Sequence, residues 1–274
     1  MGSDSMEARG GTLLIHLGGL GDVCVSESSF LSLSLHYGAV RAVGNKRVLD
    51  KFTAYFAATD SIDSRAWAYL FSDSLEGPPW SRIVLFGKDR DGAFRERLSR
   101  LCAELLFVDM YPDGPAMPAE EYQLEQLRRI GIRPVRVEFK RKKGDRIILY
   151  PEKGHAKQKL PVEMFLEVFS KLKEQDMNVL LLRPYGLTVA APDSVSYEDL
   201  DDVAACLSSQ GGAFFSNDSG MAHFAAKSGL RALTLFWEAD PIIWAPKGSR
   251  VLRCRDTSPA VEQVIDFIRD GMGE

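Results

Sequence analysis

Gly212-Ala213-Phe214-Phe215-Ser216-Asn217-Asp218-Ser219-Gly220-Met221-Ala222-His223 decides how the chain folds. An apolar run passes through a tight polar turn into Ala222–Ser228, which has helical composition. Strand, turn and helix in that order form the repeating unit of a parallel sheet. A helix that starts this way has open amides and the positive end of its dipole at one point, so it holds an anion. Ser219 adds a hydroxyl and Gly220 lets a ligand approach the backbone, so a phosphate-bearing ligand is the natural occupant.

Moving outward from that turn, the same alternation fills the chain. In the first part, Thr12–Leu17 reads as a strand, Gly18–Asp22 as a turn and Val23–Tyr37 as a helix ending at Gly38. Val40–Gly44 reads as a strand, Lys46–Thr59 as a helix and Arg82–Phe86 as a strand. Ala93–Leu101 is an amphipathic helix, Glu104–Val108 a strand and Glu120–Ile130 a helix closed by Gly131. The alternation restarts with a strand over Arg146–Tyr150, a helix over Pro161–Glu174 and a strand over Asn178–Leu182. Tyr197–Ser208 is a helix, Ala232–Phe236 the last clear strand and Pro259–Arg269 a terminal helix. Strands that are apolar throughout belong to parallel sheets covered on both faces. The break near residues 134–145 divides the chain into two Rossmann-like α/β domains facing a central cleft, 12–138 and 139–274. Residues 1–11 form an N-terminal extension, and the terminal helix is a candidate to pack back on the first domain.

Composition narrows the function. With 274 residues and 45% apolar content the chain can bury two cores, and a formal charge of −4 argues against a nucleic-acid partner. Cys24, Cys102, Cys206 and Cys254 are widely spaced, which points to reduced thiols rather than a disulfide scaffold or a zinc knuckle. Met1–Arg9 lacks the apolar segment of a signal peptide, and no run is long enough to span a bilayer. A cytoplasmic location follows as the expectation. The basic run Lys140-Arg141-Lys142-Lys143 reads either as a solvated linker or as a patch facing an anionic acceptor or membrane surface.

Several residues have both a structural and a chemical reading. Gly18-Gly19-Leu20-Gly21 follows a strand and opens a helix, but the G-x-G-x-x-G spacing fails at Cys24, so nicotinamide and flavin are not expected. Asp22 either caps the next helix or serves as a general base for an acceptor hydroxyl. Lys159 either solubilises its loop or offers a point charge to a diphosphate. Asp218 suits a helix cap, and His223 suits either the core or the ligand side. No His, Cys, Asp or Glu set has metal-ligand spacing, so neither metal nor cofactor is expected.

Three motifs together resemble glycosyltransferase family 9, the lipopolysaccharide heptosyltransferases. They are Gly19-Leu20-Gly21-Asp22-Val23, Lys159-Leu160-Pro161 with Phe165, and Asp218-Ser219-Gly220-Met221-Ala222-His223. The tail Leu235-Phe236, Asp240-Pro241 and Trp244-Ala245-Pro246 is similar to that family's segment after its last core strand. The resemblance implies a GT-B fold and inverting, metal-independent transfer of heptose from ADP-heptose to a lipid-linked core saccharide in bacterial envelope synthesis. The enzyme would work in the cytoplasm or peripherally at the inner membrane face. By motif, Asp22 matches the base and Gly19 and Gly21 its acceptor-side loop. Lys159, Ser219, Gly220 and Met221 match the diphosphate site, and Asp218 and His223 the donor-sugar side. The chain departs from the pattern in its short first half, in Leu160 where tryptophan is typical, and in a reduced connection between Leu182 and Tyr197. A catalytically silent nucleotide-sugar binder, or a nucleotide-sugar epimerase or hydrolase on the same fold, is the alternative.

Overall fold

The computed structural model describes residues 10–72, 76–114, 117–152, 160–189, 191–254 and 258–273. The chain divides into two compact units, Met1–Val137 and Glu138–Glu274.

In the first domain, β1 (Thr12–His16) leads into α1 (Leu20–Val25), α2 (Glu27–Tyr37) and β2 (Val40–Gly44). Next come α3 (Lys46–Leu49), a 3₁₀ turn at Asp50–Tyr55, β3 (Ala58–Ser61) and a second 3₁₀ turn at Arg65–Leu70. The domain closes with β4 (Trp80–Gly87), α4 (Ala93–Ser99), β5 (Cys102–Asp109) and α5 (Ala119–Arg129). The five strands are ordered β3-β2-β1-β4-β5 and every pairing is parallel. Because side chains alternate along a strand, Leu13 and Ile15 join Ile83 and Leu85 in one core layer. On the other face His16 meets Phe86 and Phe30, and Phe30 also touches Phe52 and Phe56. Phe30 thus anchors α2 to the sheet.

The second domain contains β6 (Arg146–Tyr150), α6 (Val162–Glu174), β7 (Val179–Arg183), β8 (Ser194–Ser196) and α7 (Leu200–Ser209). It continues with β9 (Gly212–Asn217), α8 (Gly220–Lys227), β10 (Arg231–Phe236), α9 (Pro241–Trp244), β11 (Arg250–Arg253) and α10 (Val261–Gly273). The six strands run in parallel as β11-β10-β9-β6-β7-β8. α6 buries Phe165, Val168, Phe169 and Leu172, one face of a helix with 3.6 residues per turn. α10 does the same with Val261, Val264, Ile265 and Ile268, which share a core with Phe215 and Leu233 of its own domain.

Four readings of the sequence need correction. The segment expected as a helix over 46–59 ends its helical part by Tyr55 and enters β3 at Ala58. The expected turn at Gly18–Asp22 is shorter, because α1 begins at Leu20 and places Gly21 and Asp22 inside its first turn. Ser26 then breaks that helix from α2. The helix expected from Tyr197 starts at Leu200, where the Asp199 side chain accepts the Asp201 N–H as a cap. β8 and β11 had no counterpart in the sequence reading, and all three missed strands are sheet edges.

Phe30 is fully buried among aromatic rings. Phe30→Ala should cost about 3–5 kcal/mol, the range for removing a core aromatic. Chemical denaturation measures this directly, and a loss below about 1 kcal/mol would show that the cluster does not hold α2.

Candidate active site

Open parallel sheets bind ligands at the carboxyl ends of their strands, next to the point where strand order reverses. In the second sheet that point lies between β6 and β9. The loops leaving those strands are 151–161 and 218–219. They are the Lys159 and Asp218-Ser219 loops. Lys159 itself lies outside the described residues.

Ser219 caps α8, its Oγ accepting the Ala222 N–H at 3.3 Å while its carbonyl accepts the same group at 3.1 Å. The cap satisfies only Ala222. The N–H groups of Gly220 and Met221 find no acceptor among the described residues, as the geometry of a helix start requires. Both residues are partly exposed, so these amides are available to an anion. Asp218 continues the sheet, its N–H donating to the Leu235 carbonyl at 2.8 Å.

Asn217 ties the two loops together. Its Oδ1 accepts the Leu160 N–H at 3.0 Å, and its Nδ2 donates to the Leu160 carbonyl at 3.3 Å. The side chain is buried, and Trp237 Nε1 approaches the same Oδ1 at 3.4 Å. The backbone directly after Lys159 is therefore fixed to the residue directly before Asp218. The sequence reading passed over Asn217, although an amide ending an apolar strand was the available signal.

His223 is buried in α8, and burial lowers its pKa to about 4, with a hydrogen bond to the Trp244 backbone acting the other way. The ring is neutral at pH 7 and joins α8 to α9. Asp240 caps α9 by accepting the Ile242 N–H at 3.0 Å, with Pro241 in the first turn.

In the first domain the order reverses between β1 and β4. The loop after β1 is Leu17–Gly19, and Asp22 stands in the first turn of α1. Asp22 Oδ2 accepts the Gly19 N–H at 2.9 Å, closing the helix start from the third position. Oδ1 takes no hydrogen bond among the described residues. Burial raises the Asp22 pKa, and the Gly19 bond only partly offsets this. A Cβ on Gly18 would lie 2.5 Å from Asp22 Cβ, so glycine at that position is a packing requirement of the carboxylate. Gly18 and Gly19 also border a cavity of about 560 Å³ that includes Asn45, Lys46, Arg47 and Asp63.

A second overlooked residue underlies this loop. His16 is fully buried at the end of β1, and its Nδ1 accepts the Gly18 N–H at 3.2 Å. Its proton therefore resides on Nε2, 3.1 Å from Ser26 Oγ, and Ser26 Oγ donates to the Asp22 carbonyl at 2.9 Å. One neutral imidazole thus holds the loop before Asp22 and the helix break after it. Burial lowers the His16 pKa to about 3.

Among the described residues no group of three or more His, Cys, Asp or Glu side chains converges as a metal would require. No described helix is long and apolar enough to cross a membrane.

These paired sheets have the fold of GT-B glycosyltransferases. Escherichia coli heptosyltransferase WaaC with ADP is similar to this chain at 14% identity and TM-score 0.66, over 95% of this chain and 99% of that one. Escherichia coli ADP-heptose lps heptosyltransferase II gives 13% identity and TM-score 0.66, over 96% and 98%. A Veillonella parvula glycosyl transferase family 9 structure gives 11% and 0.65, over 95% and 91%. No protein-family model and no curated protein matches the sequence.

Buried neutral histidines make stability depend on pH. Their folded pKa values lie below the unfolded value of 6.5, so their contribution is complete above about pH 6.5. It declines as the pH falls toward about 4 for His223 and about 3 for His16. Denaturant titrations between pH 5 and 6.5 should show His16→Gln losing up to about 1.4 kcal/mol per pH unit of the wild-type slope. Equal slopes in the two proteins would mean that His16 is charged or accessible in the fold.

Proposed function

We propose that the chain is an inverting glycosyltransferase that moves a sugar from a nucleotide-diphosphate donor, ADP-heptose first among candidates, to a hydroxyl of a lipid-linked envelope saccharide. The observation that carries this reading is the Ser219–Met221 helix start, with open amides, tied through Asn217 to Leu160 in the loop that follows β6.

Asp22 takes the proton of the acceptor hydroxyl. The acceptor oxygen then attacks the anomeric carbon from the face opposite the leaving group. As that bond forms, the bond from the anomeric carbon to the phosphate oxygen breaks and the nucleoside diphosphate departs with the electron pair. The Gly220 and Met221 amides, the Ser219 hydroxyl and Lys159 take up the charge that develops on the leaving group, which is where preorganised dipoles accelerate a reaction most. Asp218 lies beside the sugar, and His223 holds α8 against α9. Because these groups neutralise the diphosphate, transfer in this reading needs no metal. Gly18, Gly19 and Arg47 border the acceptor side, where the arginine suits an anionic saccharide, while Lys46 beside it is held by Asp50. The protein works in the cytoplasm, peripheral to the inner membrane.

Burial raises the Asp22 pKa, so the base form is lost at a higher pH than for an ordinary carboxylate. The acid limb of kcat/KM should lie correspondingly higher. Asp22→Asn, which keeps an oxygen for the Gly19 N–H, should lower kcat by about 10²–10⁴-fold with ADP-heptose and a truncated core acceptor. ADP affinity should remain within about threefold, because this residue is not part of the diphosphate site. Full transfer by Asp22→Asn would remove the base assignment. Free sugar released from donor alone at the transfer rate would favour a hydrolase.

A further inference from the structure

The basic run is exposed and irregular, and it also borders a concavity. Arg141, Lys142 and Lys143, together with Arg231, line a concavity of about 400 Å³ in the second domain. It is bounded by residues at the amino ends of β6, β9 and β10 and by the end of α10. The donor loop follows the opposite, carboxyl end of β9. That strand is six residues long, so the two places are about 20 Å apart at ~3.3 Å per residue.

Among the described residues the charge here lacks a carboxylate counter-charge. Arg141 donates to the Gly248 carbonyl at 2.6 Å, Lys142 to the Ser208 carbonyl and Arg231 to the Gly271 carbonyl. Two of these carbonyls belong to the last turns of α7 and α10, so the helix dipoles offset part of the charge. A carbonyl is still neutral. None of the four cations has a carboxylate partner among the described residues, and Lys143 Nζ has no partner of any kind there. The nearby carboxylates are engaged elsewhere. Glu138 faces Lys247, Asp270 faces Arg250, and Asp145 accepts from Asn178.

Three glycines, Gly144, Gly212 and Gly271, also line the concavity. A Cβ on Gly144 would lie 2.4 Å from the Gly211 carbonyl carbon, and one on Gly212 would lie 2.2 Å from the Arg146 oxygen. Gly212 also has φ +117°, where a side chain is strained. Glycine at these two positions lets the backbone segments beside the concavity pack directly on each other, with the cations bordering the same space. Isolated surface charges are screened within about 8 Å at physiological salt, whereas charges gathered in a concavity reinforce one another.

We propose that this concavity is a second anion site that takes a phosphate group, carried by a soluble phosphate or by an anionic lipid headgroup. It stands independently of the glycosyltransferase reading. Titration of the full chain with inorganic phosphate, at ionic strength held constant with sodium chloride and ADP present to fill the donor loop, tests it. Lys143→Glu removes a cation that nothing in the described fold uses, and Arg141→Gln removes a second. Each should weaken phosphate binding by roughly tenfold, the loss of one charge-assisted contact. Arg133→Glu, an exposed arginine of the first domain, makes the same change in net charge and should leave binding unaltered. Unchanged affinity in Lys143→Glu, or an equal loss in Arg133→Glu, would overturn the proposal. Co-sedimentation with phosphatidylglycerol vesicles, against phosphatidylcholine, separates the two sources. Binding that Lys143→Glu abolishes indicates a lipid headgroup, and phosphate binding without vesicle binding indicates a soluble ligand.

Discussion

A parallel strand covered on both faces gives a polar side chain few places to be satisfied, and its ends are the best of them. This constraint shapes both domains. β1 is apolar until His16, and β9 ends in Ser216 and Asn217, all buried. His16 and Asn217 each meet the need for buried polar groups to be paired by binding the backbone of the loop beyond the sheet. The same bonds that satisfy these side chains fix the loops that carry the proposed chemistry.

The loops are held in different ways. In the second domain Asn217 reaches across the reversal in strand order and fixes Leu160 with a donor and an acceptor at once. An aspartate there could not donate to the Leu160 carbonyl, and a leucine would leave both backbone groups unpaired. In the first domain the fixing is indirect. His16 reaches Gly18 through one nitrogen and Asp22's own carbonyl through the Ser26 hydroxyl. The carboxylate needs only one bond from Gly19 to be oriented, which leaves its other oxygen available.

Much of the fold was legible because the inner strands are apolar at every position, as in Leu13-Leu14-Ile15 and Ala213-Phe214-Phe215. Ala58–Ser61, Ser194–Ser196 and Arg250–Arg253 escaped notice for the opposite reason. They are edge strands, partly exposed and polar in composition, so neither a continuous apolar run nor a regular alternation marks them. The strand, turn and helix start at Asn217–Met221 were legible because serine and glycine between an apolar run and a helical one mark a helix start with open amides. His16 and Asn217 were not: the Leu160 backbone that gives Asn217 its meaning is distant in sequence, and the burial of His16 with its ring between the Gly18 N–H and the Ser26 hydroxyl exists only once the strand and helix have packed. The basic run illustrates the same limit. Its composition fits a linker, and only the meeting of three strand ends turns it into a wall of a concavity.

The account rests on the helix start at Ser219–Met221 being the place where a diphosphate binds. A crystal structure of the chain soaked with ADP tests this most directly. The account predicts diphosphate oxygens within hydrogen-bond distance of the Gly220 and Met221 amides, with Leu160 still held by Asn217. Diphosphate density elsewhere on the chain, with those amides facing solvent, would contradict it.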